Sequence, residues 1–555
     1  MQYFTSRSLK RIALAFVGWL PIAFTMPTAL SAERVKLSYS LFEQSIPIAL
    51  LEPYIKTGKM TPELAAYVQQ IDAKQLAQMR SFLSAKISLN AVAVSQFLYT
   101  PIGEQLLKRL EQVIQADGPT PGFYALRAGL IQAAADPQGF TPLDVLMQFP
   151  SRNVRVNLQQ GLEIVEVAKQ MGTQTEQAIA KIDQESRREA DRLPTPSLDL
   201  RQPGTLQWRK QSLIVTARSR NHTIPTDLYL PISKTRHPVV VISHGLGSDR
   251  GSFAYLAQHL ASHGFAVVVP EHSGSSSAQI SALLTAKSAH LILPQELIDR
   301  PLDVKTLLDR LEQLSISNPN MGRLDLQNVG IIGQSLGGYT ALATAGATIQ
   351  PEHLRSICQT SQNSLNFSLL LQCLVLQVPQ IPATVSDPRI KAVIAINPTV
   401  SGIFGQAGLS QIKVPTLFVT GSADTLAPAL SEQIQPFTWL TTPHKYLALI
   451  EGGTHFSTIA ASPSEVISLP ASISGADPAL ARQYINVLST AFLQTYLRHD
   501  QNYHDYLSSS YARSISRAPL KLKLVQTLGD RQNQSIVQLL NSSKRQYESL
   551  LIPSS

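Results

Sequence analysis

The pentapeptide Gly333-Gln334-Ser335-Leu336-Gly337 decides the fold of this chain. An apolar run, 329–332, precedes it, and a helix-forming stretch that begins at Gly338 follows it. A serine between a strand and a helix in such a sharp turn takes strained backbone angles, and glycine on either side removes the clashes. The turn points the Ser335 hydroxyl out of the sheet, beside the backbone N–H groups of the helix start. The pattern therefore predicts a nucleophilic serine; an ordinary glycine-serine turn is the alternative.

An aspartate and a histidine that follow Ser335 in the chain have the positions expected for the partners of a nucleophilic serine. Asp424 and His455 each come just after an apolar, strand-like run, at the strand end where sites form in open α/β sheets. We therefore predict that Asp424 orients His455 and that His455 accepts the Ser335 proton. Of the other histidines near this region, His444 precedes its strand. Glu451 is a rival acid, but it is too close in sequence to face the ring readily.

A glycine-containing loop follows a third apolar strand, 238–243, and reads His244-Gly245-Leu246-Gly247. In the arrangement that the serine turn predicts, this loop and the residue after the nucleophile each supply a backbone N–H to an oxyanion. We assign these two donors to Leu246 and Leu336. No Lys-Ser/Thr pair follows the loop, which excludes a phosphate-binding P-loop. His244 is expected to hold the loop by hydrogen bonds and not to transfer protons.

Several stretches together carry a resemblance to a known family: 242–250, 260–272, Arg300-Pro301-Leu302-Asp303 and the turn around Ser335. Over roughly 205–500 the chain resembles the platelet-activating-factor acetylhydrolase branch of the α/β-hydrolases. The resemblance implies an α/β-hydrolase fold, with a mostly parallel central sheet flanked by helices. It also implies a serine hydrolase of carboxylic esters, often phospholipids with a short or oxidised acyl chain. In that reading Ser335 is the nucleophile, His455 the base, and the Leu246 and Leu336 amides the oxyanion donors.

The acid departs from the pattern of that branch. The branch commonly places it after the strand that follows the nucleophile helix, where this chain has Asn397, and an amide cannot carry the compensating charge. The chain is therefore similar to dienelactone hydrolases and general lipases in using the later position, Asp424. We expect a lipid or phospholipid ester as the substrate. A dienelactone- or chlorophyllase-like esterase is the alternative among enzymes, and an inactive hydrolase fold that serves as a binding module is the alternative outside them.

Residues 1–31 have the layout of a secretory signal peptide. A basic segment, 7–11, precedes an apolar stretch that opens at Ile12, and Ala29-Leu30-Ser31 provides a small-residue cleavage site. We therefore predict export to the periplasm or the extracellular space. An uncleaved membrane anchor is the alternative, which the two prolines within the stretch disfavour.

The composition is that of a globular protein, with 44% hydrophobic and 15% charged residues. The formal net charge of +9 falls to +6 without residues 1–31, which contain three cations and no acid. This modest excess is compatible with a peripheral membrane surface. No basic run interleaved with aromatics occurs, so no nucleic-acid partner is expected. No Cys/His cluster has zinc spacing, so neither a metal nor another cofactor is expected.

The chain has two cysteines, Cys358 and Cys373. Export favours a disulfide between them, and two buried free thiols are the alternative. Both lie in the leucine-rich segment 350–388, which interrupts the alternation of strands and helices. We interpret this insertion as an apolar lid over the acyl site; an ordinary amphipathic helix on the sheet is the alternative.

The remaining parts of the chain are divided by a proline-containing linker near 194–203. Before it, apolar residues at helical spacing predict an all-α domain over 33–193. Its residues from about 33 to 155 resemble an uncharacterised helical domain that precedes such hydrolases in some bacterial proteins. After it, the catalytic domain is expected to span 205–500. Residues 501–555 form a basic tail to which the sequence assigns no function.

Overall fold

The computed structural model of the protein describes residues 31–40, 42–69, 71–117, 122–190, 198–318, 321, 323–360, 364–464 and 471–528. The predicted signal peptide, apart from Ser31, lies outside these residues, as do residues 194–197 of the predicted linker and the end of the predicted tail.

Strands and helices are numbered here in chain order. The strands are β1 Arg34–Tyr39, β2 Phe42–Pro47, β3 Ile114–Ala116, β4 Asn153–Asn157, β5 Trp208–Ala217, β6 His222–Pro231, β7 His237–Ser243, β8 Ala266–Pro270, β9 Leu324–Gln334, β10 Ile390–Ile396, β11 Thr416–Gly421, β12 Lys445–Glu451 and β13 Lys521–Val525. The helices are α1 Ile48–Thr57, α2 Pro62–Tyr67, α3 Ala73–Leu83, α4 Ala91–Leu98, α5 Pro101–Val113, α6 Gly122–Ala133, α7 Pro142–Met147, α8 Leu158–Arg188, α9 Ala254–Ser262, α10 Ser277–Leu284, α11 Glu296–Ser317, α12 Leu336–Thr344, α13 Pro351–Thr360, α14 Ser368–Gln372, α15 Ser401–Leu409, α16 Gln435–Trp439, α17 Ala471–Ser474, α18 Pro478–Leu497 and α19 Ser509–Ile515.

The larger sheet has, within the described residues, nine strands in the order β13-β12-β11-β10-β9-β7-β8-β6-β5. The strands from β12 to β8 run parallel, whereas β13, β6 and β5 pair antiparallel at the edges. The central strands are continuous apolar runs because helices cover both faces, and a separate buried cluster fills each face. The predicted α/β-hydrolase fold, a mostly parallel sheet flanked by helices, is confirmed.

The parallel strands bring residues that are far apart in sequence to one edge of the sheet. Ser335 follows β9, Asp424 lies three residues past β11, and His455 lies four residues past β12. The loop that begins at His244 follows β7, which pairs with β9. Because the carboxyl ends of parallel strands meet at the same edge, these loops surround one site.

The N-terminal part is rich in helices, as expected, but it is not all-α. Within the described residues, four short strands form a sheet in the order β2-β1-β4-β3. The two central strands, β1 and β4, run parallel, with Arg34 opposite Asn153. The paired strands therefore come from the beginning and the end of the helical region in the sequence. Strands of three to six residues with mixed polarity carry little periodicity, and local spacing cannot reveal pairing across more than a hundred residues.

The insertion 350–388 contains two helices, α13 and α14, that a disulfide between Cys358 and Cys373 connects, with their Cα atoms 6.0 Å apart. The buried carboxylate of Glu432 fastens the insertion to the hydrolase core. It accepts hydrogen bonds from the Asn366 side chain at 2.5 Å and from the Val400 backbone N–H at 2.7 Å.

The other side of the insertion meets α5 of the N-terminal part. Arg109 Nη1 donates to the Ser364 carbonyl at 2.8 Å, and its guanidinium lies 5.8 Å from the centre of the Phe367 ring. A cavity lies between α5 and the disulfide-bonded segment. The insertion is therefore enclosed between the sheet and the N-terminal part.

The predicted tail begins with elements that belong to the hydrolase. β13 adds to the edge of the large sheet beside β12. The carboxylate of Glu189, at the end of α8, accepts the backbone N–H groups of Gln526 and Thr527, each at 3.0 Å. The sequence placed this boundary at 500 because a five-residue strand with alternating lysines resembles an exposed loop.

None of the helices in the described part of the chain is long and apolar enough to span a membrane.

Candidate active site

Ser335 stands at the sharp turn between β9 and α12. Its backbone angles are φ 55° and ψ −119°, an unfavourable region for any residue other than glycine. A Cβ atom on Gly333 would collide with the Gly337 carbonyl, and one on Gly337 would collide with the Ser243 carbonyl. Such strained angles cost about 1–3 kcal/mol and persist where surrounding structure enforces them. The two glycines therefore allow the turn that projects the Ser335 side chain from the strand end.

The imidazole of His455 lies between Ser335 and Asp424. Its Nε2 atom is 2.9 Å from Ser335 Oγ, and its Nδ1 atom is 2.6 Å from Asp424 Oδ2. A carboxylate only accepts, so Nδ1 carries the proton and Nε2 is free to accept one from the serine. All three residues are buried, with the serine 7% and the histidine 6% exposed. An arrangement of this kind can turn a serine hydroxyl into a nucleophile.

The second oxygen of the Asp424 carboxylate is fixed by the backbone. Asp424 Oδ1 accepts from the N–H groups of Leu426 at 2.9 Å and Ala427 at 2.8 Å. These two bonds orient the carboxylate so that its Oδ2 atom faces the imidazole of His455. The acid is thus presented by its own loop, directly after β11.

The loop after β7 lies against the nucleophile turn. A Cβ atom on Gly245 would come within 3.4 Å of Ser335 Cβ and would collide with the Gln334 side chain. Leu336 is the first residue of α12, so its N–H has no partner within the helix. Within the described residues, the backbone N–H groups of Leu246 and Leu336 make no hydrogen bond. Both amides are therefore available to a group that binds between the loop and the turn.

Comparison with known proteins agrees with this architecture. Residues 238–395 match a family model described as alpha/beta hydrolase fold, and residues 31–157 match one described as alpha/beta hydrolase of unknown function. The chain therefore has the α/β-hydrolase fold. Among curated proteins it is similar to the platelet-activating factor acetylhydrolase of Cavia porcellus, with 25% identity over 311 residues. That match covers 49% of this chain and 60% of the relative's length.

Two amide side chains of the hydrolase hold the loop that carries His455, and no sequence pattern predicted a role for either of them. Gln334 Nε2 and Asn397 Nδ2 both donate to the backbone carbonyl of His455, at 3.0 Å and 3.3 Å. Asn397 also accepts the Gly421 N–H at 2.9 Å, and its φ is 43°. Asparagine tolerates such left-handed angles better than most residues. Asn397 follows β10, which lies between the strands that lead to Ser335 and Asp424. This position could have indicated that its side chain belongs to the site.

The rival residues of the hydrolase lie elsewhere. Glu451 Oε2 forms an ion pair with Lys523 at 3.0 Å, whereas the His455 ring bonds to Ser335 and Asp424. The ring of His444 packs beside Tyr496, with centroids 5.4 Å apart, at the opposite end of β12. Neither residue is brought to Ser335.

In the described part of the hydrolase, no group of three or more His, Cys, Asp or Glu side chains is arranged to hold a metal ion.

Proposed function

We propose that this protein is a serine hydrolase that cleaves carboxylic esters through an acyl-enzyme. One observation carries the proposal: a single imidazole, that of His455, is within hydrogen-bond distance of both a strained serine and a buried carboxylate. A binding module would have no need of a strained Ser335 that is joined through His455 to a buried carboxylate. The family match and the free amides of Leu246 and Leu336 support the same reaction.

The reaction would proceed in two steps. Ser335 Oγ attacks the ester carbonyl while His455 Nε2 takes its proton, and the backbone N–H groups of Leu246 and Leu336 stabilise the oxyanion. The ester C–O bond then breaks, and His455 returns the proton to the departing alcohol. Water, deprotonated by His455, attacks the acyl-serine. The bond between the acyl carbon and Ser335 Oγ then breaks, His455 returns the proton to Oγ, and the carboxylic acid leaves. Asp424 stabilises the imidazolium in both steps.

The substrate that we propose is a lipid or phospholipid ester. Support comes from the similarity to a protein named platelet-activating factor acetylhydrolase. It also comes from the apolar insertion, whose Ser368 N–H donates to the Leu426 carbonyl at 3.0 Å, two residues past Asp424. Apolar side chains so close to the proposed catalytic acid would suit an acyl chain.

We further propose that the protein is exported. The signal-like sequence of residues 1–31 supports export, and so does the disulfide between Cys358 and Cys373, because disulfides persist in oxidising compartments. Determining the N-terminal residue of the protein recovered from the producing cell would test this. A start at Ala32 or Glu33 is expected, and a start at Met1 would contradict cleavage.

The test of the reaction is labelling by a fluorophosphonate, followed by turnover of p-nitrophenyl butyrate. We expect stoichiometric labelling of Ser335, found by peptide mass spectrometry, and neither labelling nor turnover in Ser335→Ala. The melting temperature of the variant should fall by a few degrees at most, because alanine removes one hydroxyl and its hydrogen bond to His455. A wild-type protein that is folded but neither labelled nor active would favour the binding module.

A substrate panel would then test the lipid assignment. It should compare an alkyl-acetyl-glycerophosphocholine, a long-chain phosphatidylcholine, a dienelactone and a phytyl ester at equal active-site concentration. We expect the highest kcat/KM for the short-acyl phospholipid. Preference for the dienelactone or phytyl ester would replace the lipid assignment while leaving the serine mechanism intact.

A further inference from the structure

A fully buried cation lies behind the oxyanion loop. Arg300, in the second turn of α11, is 0% exposed, and its Nη2 atom donates to the His244 backbone carbonyl at 2.5 Å. Its nearest acid is Glu296, at 3.9 Å from Nε. Two of its nitrogens, Nε and Nη1, make no hydrogen bond with the described residues. A buried charge with so few partners is costly, so stability alone is a poor reason for it.

The hydrogen bonds of His244 fix which of its ring nitrogens carries the proton. Its Nε2 accepts the backbone N–H of His272 at 3.0 Å, so the proton is on Nδ1. Nδ1 therefore donates to the Gly245 carbonyl at 2.8 Å. Burial first, and then the positive charge of Arg300, lower the pKa of His244 well below its usual range. The ring thus stays neutral, in the one tautomer that can make both bonds.

These bonds determine the direction of the Leu246 N–H. The Gly245 carbonyl and the Leu246 N–H belong to one trans peptide unit and point in opposite directions. Holding the Gly245 oxygen on the His244 side therefore turns the Leu246 N–H to the other side of the loop. The next peptide unit is held as well, because the Gly247 N–H donates to the Ser275 carbonyl at 2.8 Å. Both peptide planes that flank Leu246 are fixed.

We propose that Arg300 is a positioning residue for the oxyanion hole, and that it acts through His244. The guanidinium holds the His244 carbonyl, and the His244 ring in turn aims the Leu246 amide. This inference rests on the proposed ester hydrolysis. It adds a residue that touches neither the substrate nor Ser335, and it explains a buried charge that the mechanism leaves unused.

The test replaces Arg300 by methionine, which keeps most of the side-chain volume and removes the charge. Because a misaimed amide stabilises the oxyanion poorly, kcat on p-nitrophenyl butyrate should fall on the order of 10²-fold, the usual effect of losing one donor. KM should stay within about twofold, since the donor acts mainly in the transition state. The Ki of a trifluoromethyl ketone, whose adduct carries an oxyanion, should rise by the same factor as kcat/KM falls.

Arg389→Met is the matched control. Arg389 is 8% exposed and pairs with Asp387 and Asp309, each at 2.6 Å, beside the start of β10 at the other end of the sheet. Its substitution should lower the melting temperature but leave kcat per fluorophosphonate-titrated site unchanged. An equal loss of kcat in both variants would show a general structural effect and overturn the proposal.

If Arg300→Met does not fold, Arg300→Lys and His244→Leu decide the question. We expect His244→Leu to reproduce the fall in kcat with KM unchanged, because the Gly245 carbonyl loses its ring partner. Arg300→Lys keeps the charge and should retain more activity than His244→Leu. If Arg300→Lys and His244→Leu both fold and both have the wild-type kcat, the positioning role is overturned. If the wild-type protein itself is inactive, the proposed function is overturned instead.

Discussion

Within the described residues, two arrays of serine, histidine and aspartate are hydrogen-bonded: Ser335-His455-Asp424, the first array, and Ser243-His272-Asp303, the second array. In the second array, His272 Nε2 is 3.0 Å from Ser243 Oγ and its Nδ1 is 3.2 Å from the Asp303 carboxylate. The two arrays therefore have nearly the same connectivity. They differ in the backbone conformation of the serine, in its burial and in the other partners of the aspartate.

Ser335 has a strained backbone and lies at the edge of the sheet that the carboxyl ends of the parallel strands form. Ser243, in contrast, is the last residue of β7 and is completely buried. The Ser243 carbonyl also faces Gly337 so closely that a Cβ there would collide with it. The Asp303 carboxylate is shared with Arg220 and His222. The second array thus has neither an approach for a substrate nor a free acid. Hydrogen-bond connectivity alone does not make a nucleophile; backbone strain, access and nearby amide donors are also needed.

The sharpest test of this comparison is to remove each histidine. His455→Gln should lower kcat/KM for p-nitrophenyl butyrate by on the order of 10⁴-fold or more, because the serine loses its base. His272→Gln should retain activity within about tenfold and lose about 1–3 kcal/mol of unfolding free energy, the usual cost of broken buried hydrogen bonds. Since His272 holds His244 through its backbone N–H, the substitution keeps that bond.

Activity per titrated site and urea unfolding measure the two effects separately. The comparison would fail if His272→Gln, correctly folded, were as inactive as His455→Gln.

The acids provide the next test. Asp424→Asn should lower kcat by up to about 10⁴-fold, because an amide favours the wrong histidine tautomer and cannot stabilise the imidazolium. Glu451→Gln should change kcat little, since its carboxylate pairs with Lys523 and not with the ring. The two variants are matched in chemistry, so their kcat values under identical conditions decide the assignment. A larger loss of kcat in Glu451→Gln than in Asp424→Asn would assign the role of the catalytic acid to Glu451 instead of Asp424.

Acid should destabilise the fold through its buried histidines. Burial, with a further contribution from Arg300, lowers the pKa of His272 to about 4, and burial lowers that of His259 to about 3 and that of His244 in the same direction. Unfolded histidines titrate near 6.5, so between pH 6.5 and 4 the unfolded state binds more protons. The free energy of unfolding should therefore fall as the pH decreases through this window.

Urea unfolding at several pH values between 7.5 and 4.5 measures this fall. Glu296 and His222 work in the opposite direction, because burial raises the pKa of Glu296 and the hydrogen bond to Asp303 raises that of His222. Burial also lowers the pKa values of His237 and His263, so five histidines of the described residues outweigh these two groups. His259→Gln should make the dependence shallower. A stability that does not change between pH 7 and 5 would contradict the neutral, buried state of these rings.

The smallest expected effect is that of the second serine. Ser243→Ala removes one hydroxyl from the second array and should cost about 1 kcal/mol of unfolding free energy, the net worth of a typical hydrogen bond. Its kcat and its labelling by a fluorophosphonate should match those of the wild type. Loss of labelling at Ser335 in this variant would mean that the two arrays are coupled.

Much of the large sheet could be predicted from the sequence, because long apolar strands alternate with helices and the serine turn is a local pattern. The order of Ser335, Asp424 and His455 along the chain also identified the residues that the structure brings together. In each case the signal was contained in a few consecutive residues at a strand end. Their catalytic roles stay predictions until the variants above are measured.

What the sequence could not supply depends on contacts between distant residues. The second array joins three segments, and nothing local to His272 distinguishes it from a catalytic histidine. The bonds from Gln334 and Asn397 to the His455 carbonyl likewise follow from how the loops meet. The sheet of the N-terminal part depends on the pairing of β1 with β4, two strands that are far apart in the sequence. The periodicity of apolar residues does not indicate such a pairing.

The position of β13 has a practical consequence. It is the neighbour of β12, the strand that leads to His455, and it is supplied by residues beyond the boundary that the sequence suggested. A protein shortened at residue 500 would leave the backbone groups of β12 unpaired at an apolar sheet edge, and such edges recruit strands from other molecules. Truncation for crystallisation or display should therefore keep the chain through Thr527, whose N–H is bound by Glu189.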